Sequence, residues 1–288
     1  MFFDSEVKIT SIGDYIKEII RLRQNVDTEK DFFQWYRGHA NRSWELVPKV
    51  QRGFNGDIED LFRKERYYTN DFQARASIFQ SSQHPKLDEY ASWLTLMQHY
   101  GLPTRLLDWS RSPLIALYFA VSEEKEYEQD ACVWVLTPNK LNSSEKLEKP
   151  TYTNGKKYEN SFIYNMSHKT ILTMIYTAFR RWKLSSKSDA ITLEDKKFDH
   201  RFNDLYDKIA ACYPTESDSR VYNQFATFTV HNSSRKLVEF CDDLTLMRIT
   251  IPYQIKKKLL YELSICGITQ SYIYPDLEHL AKEIKEWY

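Results

Sequence analysis

The 288 residues carry 40 Lys+Arg against 40 Asp+Glu, 42% hydrophobic residues, 15% aromatics and 7 glycines. That length supports one large domain or two small ones around a real core, and the apolar content excludes a disordered tail protein. A formal charge of zero argues against binding that rests on phosphate neutralisation by a polybasic surface, though it leaves room for a local basic groove.

In chain order, Ser11 to Asp14 spells a capping box ahead of an amphipathic helix carrying Ile12, Tyr15, Ile16, Ile19 and Ile20. Phe32 to His39 reads as a strand, 57–79 as a helix, and Leu87 to His99 as another helix that ends at a C-capping Gly101. Arg105 to Asp108 is a short strand. Ser112-Pro113 stands in N-cap, N1 order before a very apolar helix, and Ala131 to Leu136 is a buried strand. Residues 138–160, rich in Lys, Glu, Asn, Ser and Thr, read as a loop or insertion. Residues 161–213 read as mostly helical and polar, a lid or subdomain. Strands are predicted around 220–231 and 245–251, and a helix over 253–266 with Gly267 as its cap. A strand from Ile268 to Tyr274 and a last helix opened by Pro275-Asp276 close the chain. The pattern predicts an α+β fold with a mixed, mostly antiparallel sheet and surrounding helices. A helical segment over 1–30 would precede an α+β domain over 31–288, interrupted at about 138–213.

No run of about 18 apolar residues is present to span a membrane. The first ten residues lack the basic-then-apolar order of a secretory signal, so the chain reads as cytoplasmic. Cys132, Cys212, Cys241 and Cys266 show no CxxC pairing and read as scattered buried thiols. Metal-ligand spacings, a nucleophile elbow and a Walker loop are all absent, so no metal is expected.

Three segments could carry chemistry. In Tyr36-Arg37-Gly38, an arginine interrupts an apolar strand, which is costly unless it is paired or holds an anion. Its planar guanidinium suits phosphate or carboxylate, and the following glycine lets something approach the backbone. A structural pairing with an acid such as Asp108 is the alternative. The second runs from Gln98 to Ser110 and interleaves Gln98, His99, Thr104, Arg105, Asp108 and Ser110 with Gly101, Pro103 and Trp109. Fixed turns, an aromatic wall and convergent polar groups are what a shaped pocket needs; a satisfied polar core corner is the bland alternative. The third, Arg220 to His231, alternates like a strand with Arg220 and Gln224 as polar breaks at its entrance. Two arginines far apart in sequence could then converge on one anion. Lys256-Lys257-Lys258 reads as a solvated helix face. With so few glycines, a Gly-rich phosphate cradle is excluded.

These motifs resemble the FRG domain family. Tyr36-Arg37-Gly38 is similar to its Phe/Tyr-Arg-Gly signature, and Gln98 to Ser110 followed by Pro113 to Ala120 looks like its most specific segment. Arg220 to Phe228 is similar to the family's Arg…Gln…Gly…Phe stretch, with Ala226 in place of the usual Gly, and Tyr274-Pro275-Asp276-Leu277 to its Phe-Pro-Asp-Leu pattern. The resemblance runs from about residue 30 to the C-terminus. It implies a bacterial or phage protein of largely uncharacterised function. The order of parts is also similar to that of ADP-ribosyltransferases, in which a strand Arg orders the dinucleotide and a Ser supports the nicotinamide pocket, roles that Arg37 and Ser110 could take. Those enzymes use a late-strand Glu where this chain offers Gln224, which cannot supply the charge. Asp108, Glu239 or Glu262 would have to substitute, or the site binds without transferring.

The expected site therefore has His99, Asp108 and Gln224 in catalytic places. Tyr36, Arg37, Gly38, Gln98, Thr104, Arg105, Trp109, Ser110 and Arg220 would bind the ligand. The ligand is a nucleotide-like anion such as NAD, in a toxin or phage-defence setting. The alternative is a nucleotide-sensing or nucleic-acid-binding module without chemistry, drawing on Lys256 to Lys258 or Arg180-Arg181; the net charge does not favour nucleic acid. A third reading makes the motif a structural polar core.

Overall fold

Ser11 caps the first helix, α1 (Ile12–Gln24), by accepting from Asp14 N at 3.2 Å. The reciprocal half of the box is displaced by one residue, because the Asp14 carboxylate takes Thr10 N–H at 3.2 Å. The computed structural model describes residues 2–24, 33–76, 78–79, 85–86, 88–147, 163–176, 205, 207–214 and 219–287.

The strands are β1 (Phe3–Ser5), β2 (Trp35–His39), β3 (Leu106–Ser110), β4 (Ala131–Leu136), β5 (Tyr164–Asn165), β6 (Lys208–Tyr213), β7 (Ala226–Asn232) and β8 (Leu246–Ile251). They form one sheet in the order β1-β8-β4-β2-β3-β7-β6-β5. Pairing is antiparallel throughout the middle and parallel only at the two edges, β1 with β8 and β5 with β6. This is the predicted α+β class. β4 reads Ala-Cys-Val-Trp-Val-Leu and is buried at every position, as a central strand covered on both faces must be.

Alternation sorts the core. Ala131, Val133 and Val135 face helix α1 together with α4 (Pro113–Val121) and α8 (Lys256–Ile265). Leu106, Phe228 and Val230 lie on the same face but under α3 (Tyr90–His99) and α6 (Lys169–Tyr176). Trp35, Leu107, Trp109 and Trp134 fill the opposite face. The helix-bearing face thus carries two cores side by side, and the division between them falls between β2 and β3. Those strands pair only at Tyr36↔Ser110. Beyond that residue the ladder stops and the sheet opens.

Gly38 is required by packing. A Cβ on Gly38 would lie 2.0 Å from the Ala116 carbonyl oxygen and 2.6 Å from Ala120 N, so what approaches its backbone is α4. Gly38→Ala is expected to cost about 2–3 kcal/mol by forcing α4 off β2. Gly13→Ala, where the added methyl meets nothing nearer than Ser11 Oγ at 3.5 Å, is expected to be neutral or stabilising. Urea midpoints of the two variants check both signs.

Several predicted elements differ. The strand expected from residue 220 begins at Ala226, and Ser219–Asn223 is a short helix, α7. Ile268 to Tyr274 is not a strand: Thr269 N-caps a one-turn helix, α9 (Gln270–Ile273), accepting from Tyr272 N. Pro138–Ser144, read as loop, is helix α5 with Pro at its start. Lys208–Tyr213, read as helical and polar, is a strand whose Ile209, Ala210, Ala211 and Cys212 are fully buried; short apolar runs do not separate the two by period. Lys169–Tyr176 is a helix, α6, as the 161–213 reading expects, but its Ile171, Met174 and Ile175 are fully buried; residues 148–162, 177–204 and 206, with Arg180-Arg181, lie outside the described residues. Lys256 is no solvated lysine. It is 1% exposed and donates to the carbonyls of Ala40 at 2.7 Å and Glu126 at 2.5 Å. The last helix, α10 (Leu277–Trp287), is capped by Asp276, which accepts from His279 N at 2.9 Å. Cys132, Cys212 and Cys241 are buried free thiols as expected, whereas Cys266 is exposed.

Candidate ligand-binding site

A cavity of about 390 Å³ occupies the opening between β2 and β3, a volume within the range of small-molecule sites. Arg37, Asp108 and Gln224, from three distant stretches of sequence, all line it. α3 contributes Thr95, Gln98 and His99 from its last turns. Phe119, Ser122 and Glu123 come from the end of α4 and beyond, and Arg220, Val221 and Gln224 from α7 and the turn after it. Tyr36, Gly38, Trp109 and Ser110 from the split strands complete much of the wall. α3 and α4 therefore both bring side chains of their last turns to the space. α3 ends in a Schellman turn in which Gly101, at φ +79°, donates to Gln98 O and Leu102 N donates to Met97 O.

Arg37 spans the gap. Its Nη1 donates to the Asp108 carbonyl at 2.7 Å and lies 3.7 Å from Asp108 Oδ2, while Nε donates to His39 Nε2 at 3.1 Å. Those two bonds occupy two of the three guanidinium nitrogens. Nη2 has no hydrogen-bond partner among the described residues and is not sealed from solvent. Burial lowers the Arg37 pKa to about 10, still far above neutral, so the group stays cationic. His39 must accept from Arg37, which fixes its neutral Nδ1–H form. Burial and the Arg37 charge together push its pKa down to about 2. It orients the arginine and does not move protons near neutral pH.

Asp108 is held from the other side. Thr104 O–H donates to Gln98 Oε1, which turns the amide so that Nε2 donates to Asp108 Oδ2 at 2.8 Å. The Asp108 side chain remains 51% exposed, and Oδ1 has no protein hydrogen bond among the described residues. Trp109 is fixed by a buried chain, its Nε1 donating to Thr229 Oγ1 at 3.1 Å and Thr229 in turn meeting His231 Nε2 at 2.9 Å. Burial, with Arg37 nearby, lowers the His231 pKa to about 3.

Two native-neutral histidines have a consequence for stability. Between pH 6.5 and 3 the unfolded chain binds protons on His39 and His231 that the native protein does not, so stability falls on acidification. Each contributes a slope of up to about 1.4 kcal/mol per pH unit. Urea midpoints between pH 7.5 and 5 are expected to fall less steeply in His39→Gln or His231→Gln than in the parent.

Not every expected residue reaches the cavity. Arg105 is 1% exposed and closed into an ion pair with Glu65, Nη2 to Oε2 at 2.5 Å. It belongs to the core because α2 (Ile58–Ala76) presents Glu65 directly to it. Thr104 is fully buried and acts through Gln98. Ser110 lines the cavity, but its hydroxyl is committed: it donates to Gln224 O at 2.7 Å and accepts from Ser112 N at 3.0 Å. Gln224, in turn, sits on no strand. Its Nε2 donates to Ile273 O at 3.1 Å, so it ties α9 to the wall. Neither Glu239 nor Glu262 lines the cavity; Glu262 accepts from Ile12 N at 2.8 Å.

Sequence reasoning missed Glu123, Phe119, Trp44 and Tyr274. Two of them had a signal: Phe119 lies in the Pro113 to Ala120 segment and Tyr274 in the Tyr-Pro-Asp-Leu motif. The Tyr274 ring carries the Arg220 guanidinium at 4.5 Å on the ring face, and burial raises the tyrosine's pKa. Arg220 has no ion pair among the described residues. The cavity therefore sets two arginines, Arg37 and Arg220, against two carboxylates, Asp108 and Glu123. No group of side chains with metal-ligating composition occurs among the described residues, and no helix among them is long and apolar enough to cross a membrane.

Residues 33–129 match the family model of the FRG domain. The span includes Tyr36-Arg37-Gly38 and the whole Gln98 to Ser110 segment, and it stops before Arg220, Gln224 and Tyr274, which close the same cavity. No curated protein and no solved structure matches the chain.

Proposed function

We propose, for a chain that carries an FRG domain over residues 33–129, that the cavity between β2 and β3 binds a nucleotide-like anionic ligand and cleaves or transfers from NAD. The observation that carries this reading is the convergence of Arg37, Asp108 and Arg220 on one space of about 390 Å³. Arg37 and Arg220 hold the diphosphate, one through the Nη2 of its guanidinium and the other from the face of Tyr274. The two carboxylates, Asp108 and Glu123, disfavour a ligand that is anionic throughout. They favour one that joins an anionic diphosphate to a cationic ring, which is the charge pattern of NAD.

In the proposed reaction the C1′–N bond breaks, its electron pair leaves with nicotinamide, and an incoming water or acceptor oxygen supplies the pair that closes on C1′. Charge develops on the ribose as it does in glycoside hydrolysis. Asp108 and Glu123 supply the negative field that Gln224 cannot. His99, at the end of α3, or Asp108 takes the proton of the nucleophile. A toxin or phage-defence setting fits such chemistry.

Incubation of the protein with NAD tests this. Nicotinamide release is expected, and Asp108→Asn is expected to reduce kcat by about 10²-fold or more, as loss of a preorganised charge does. Binding without release in the parent protein would instead support a non-catalytic sensing module. The Lys256 to Lys258 face gives nucleic acid little support, since Lys256 is buried and Lys258 donates to Thr10 O at 2.9 Å.

A further inference from the structure

Outside the cavity, one cluster of side chains has no role in the site already described. Tyr222 and Phe225 are 70% and 39% exposed, and their rings stack with centroids 6.4 Å apart and planes 24° apart. Beneath Phe225 the Arg111 guanidinium lies 5.6 Å from the ring, and it lies 6.0 Å from Tyr213, whose ring meets buried Trp35 edge-on at 5.7 Å. The rings and the guanidinium form a column from the core to solvent, with Tyr222 at its open end.

The backbone under the column is held in an unfavourable state. Phe225 has φ +48°, in the left-handed region that glycine enters freely and a bulky residue does not. It occupies the turn that follows α7, its N–H donating to Tyr222 O at 3.0 Å and its carbonyl accepting from Arg111 N at 2.9 Å. Glycine would serve that turn at lower cost. Retaining a strained, exposed aromatic where the fold prefers glycine is a feature of sites that use the side chain. Val221 and Gln224, which alternate in sequence with these two residues, line the cavity, so the column stands on the outer side of the segment that forms this part of the cavity wall.

We infer that Tyr222 and Phe225 form a stacking platform for the nucleobase of the ligand whose diphosphate lies at Arg37 and Arg220. The inference rests on the reading proposed above and narrows it: the ligand carries a base beyond its phosphates. Aromatic faces stack every base, and the cation behind Phe225 strengthens the column.

The probes are ADP, which has both parts, and inorganic pyrophosphate, which has only one. ADP is expected to bind the parent protein roughly 5- to 150-fold more tightly than pyrophosphate, the range that stacking of one base gives. Phe225→Gly and Tyr222→Ala are each expected to lower ADP affinity toward that of pyrophosphate and to leave pyrophosphate binding unchanged. Phe225→Gly is also expected to leave thermal stability equal or higher, because it relieves the φ +48° turn. The platform is overturned if ADP and pyrophosphate bind alike, or if either variant weakens both equally. If pyrophosphate does not bind at all, the anion-binding reading of the cavity fails first and the platform with it.

Discussion

Glu65→Ala is expected to cost about 3–5 kcal/mol of folding stability, the range for removing one partner of a buried ion pair. For a chain of this size that corresponds to a fall in Tm of roughly 6–20 °C. Glu65 and Arg105 are each 1% exposed. The Glu65 carboxylate accepts from Arg105 N at 2.8 Å and Nε at 2.6 Å. On the other side Arg105 Nη1 donates to Met174 O at 2.7 Å and Asn232 Oδ1 at 2.9 Å, and the guanidinium lies 4.3 Å over the Phe62 ring. α2, α6, β3 and β7 therefore meet at one cation. Truncating Glu65 leaves that cation with neutral acceptors alone and strips the carboxylate from the Arg105 amide at the start of β3. The apolar double variant Glu65→Met, Arg105→Met is expected to recover most of the loss, because a buried pair replaced on both sides by packed side chains is often neutral. Thermal and urea unfolding of the two single variants and the double one give the coupling directly. A Glu65→Ala protein that melts within a degree or two of the parent would show that the pair carries no stability.

Arg37 and Arg105 look alike in the sequence, each an arginine beside an apolar strand. The fold gives them opposite roles, and the difference lies in what faces them. Arg105 meets a carboxylate that is itself buried, from a helix 40 residues earlier. Arg37 meets a neutral histidine, a backbone carbonyl and a half-exposed carboxylate. Pairing of this kind is a property of tertiary packing, so neither the periodicity of α2 nor the spacing in Arg105 to Asp108 announces it.

Other features were legible because their signals are local. The Schellman glycines Gly101 and Gly267, at φ +79° and +77°, stand where the end of a helical pattern places them. The N-cap and N1 order of Ser112-Pro113 starts α4. The buried run of β4 needs no partner to be read. What failed were short segments in which two local preferences compete. Ile268 to Tyr274 is rich in β-formers, yet the Thr269 cap wins and sets a helical turn. Arg220 to Phe228 alternates like a strand, but its first residues form α7 and only the part from Ala226 joins the ladder opposite Ser110. The site itself was half legible. Its Arg37, Gln98, His99, Asp108 and Trp109 stand in dense motifs, whereas Glu123 enters because α4 ends where the sheet splits, a fact of three-dimensional arrangement alone.

The functional arginine should then behave unlike the structural one. Arg37→Lys is expected to leave a folded protein and to lower kcat/KM for nicotinamide release by about 10²–10³-fold, the loss seen when one preorganised donor to a developing or bound anion is removed. The charge survives this substitution, so the loss measures geometry. A lysine cannot donate to His39 and to the Asp108 carbonyl from separate nitrogens and keep a third, in the same plane, for a diphosphate. The loss of stability is smaller than in Glu65→Ala because no partner of Arg37 is left as a buried charge. His39 is neutral in either variant, and the Asp108 side chain, 51% exposed, keeps its water and its bond from Gln98. Arg37→Ala is expected to lose still more activity, with Tm displaced less than in Glu65→Ala. His39→Gln, which retains an acceptor for Arg37 Nε, is expected to keep most of the activity, whereas His39→Leu is expected to approach Arg37→Lys. Measuring Tm and kcat/KM on the same preparations separates the two roles. If Arg37→Ala lowers Tm as far as Glu65→Ala does, Tyr36-Arg37-Gly38 is a structural corner. If Arg37→Lys releases nicotinamide at the parent rate, the guanidinium is not the anion clamp of the cavity.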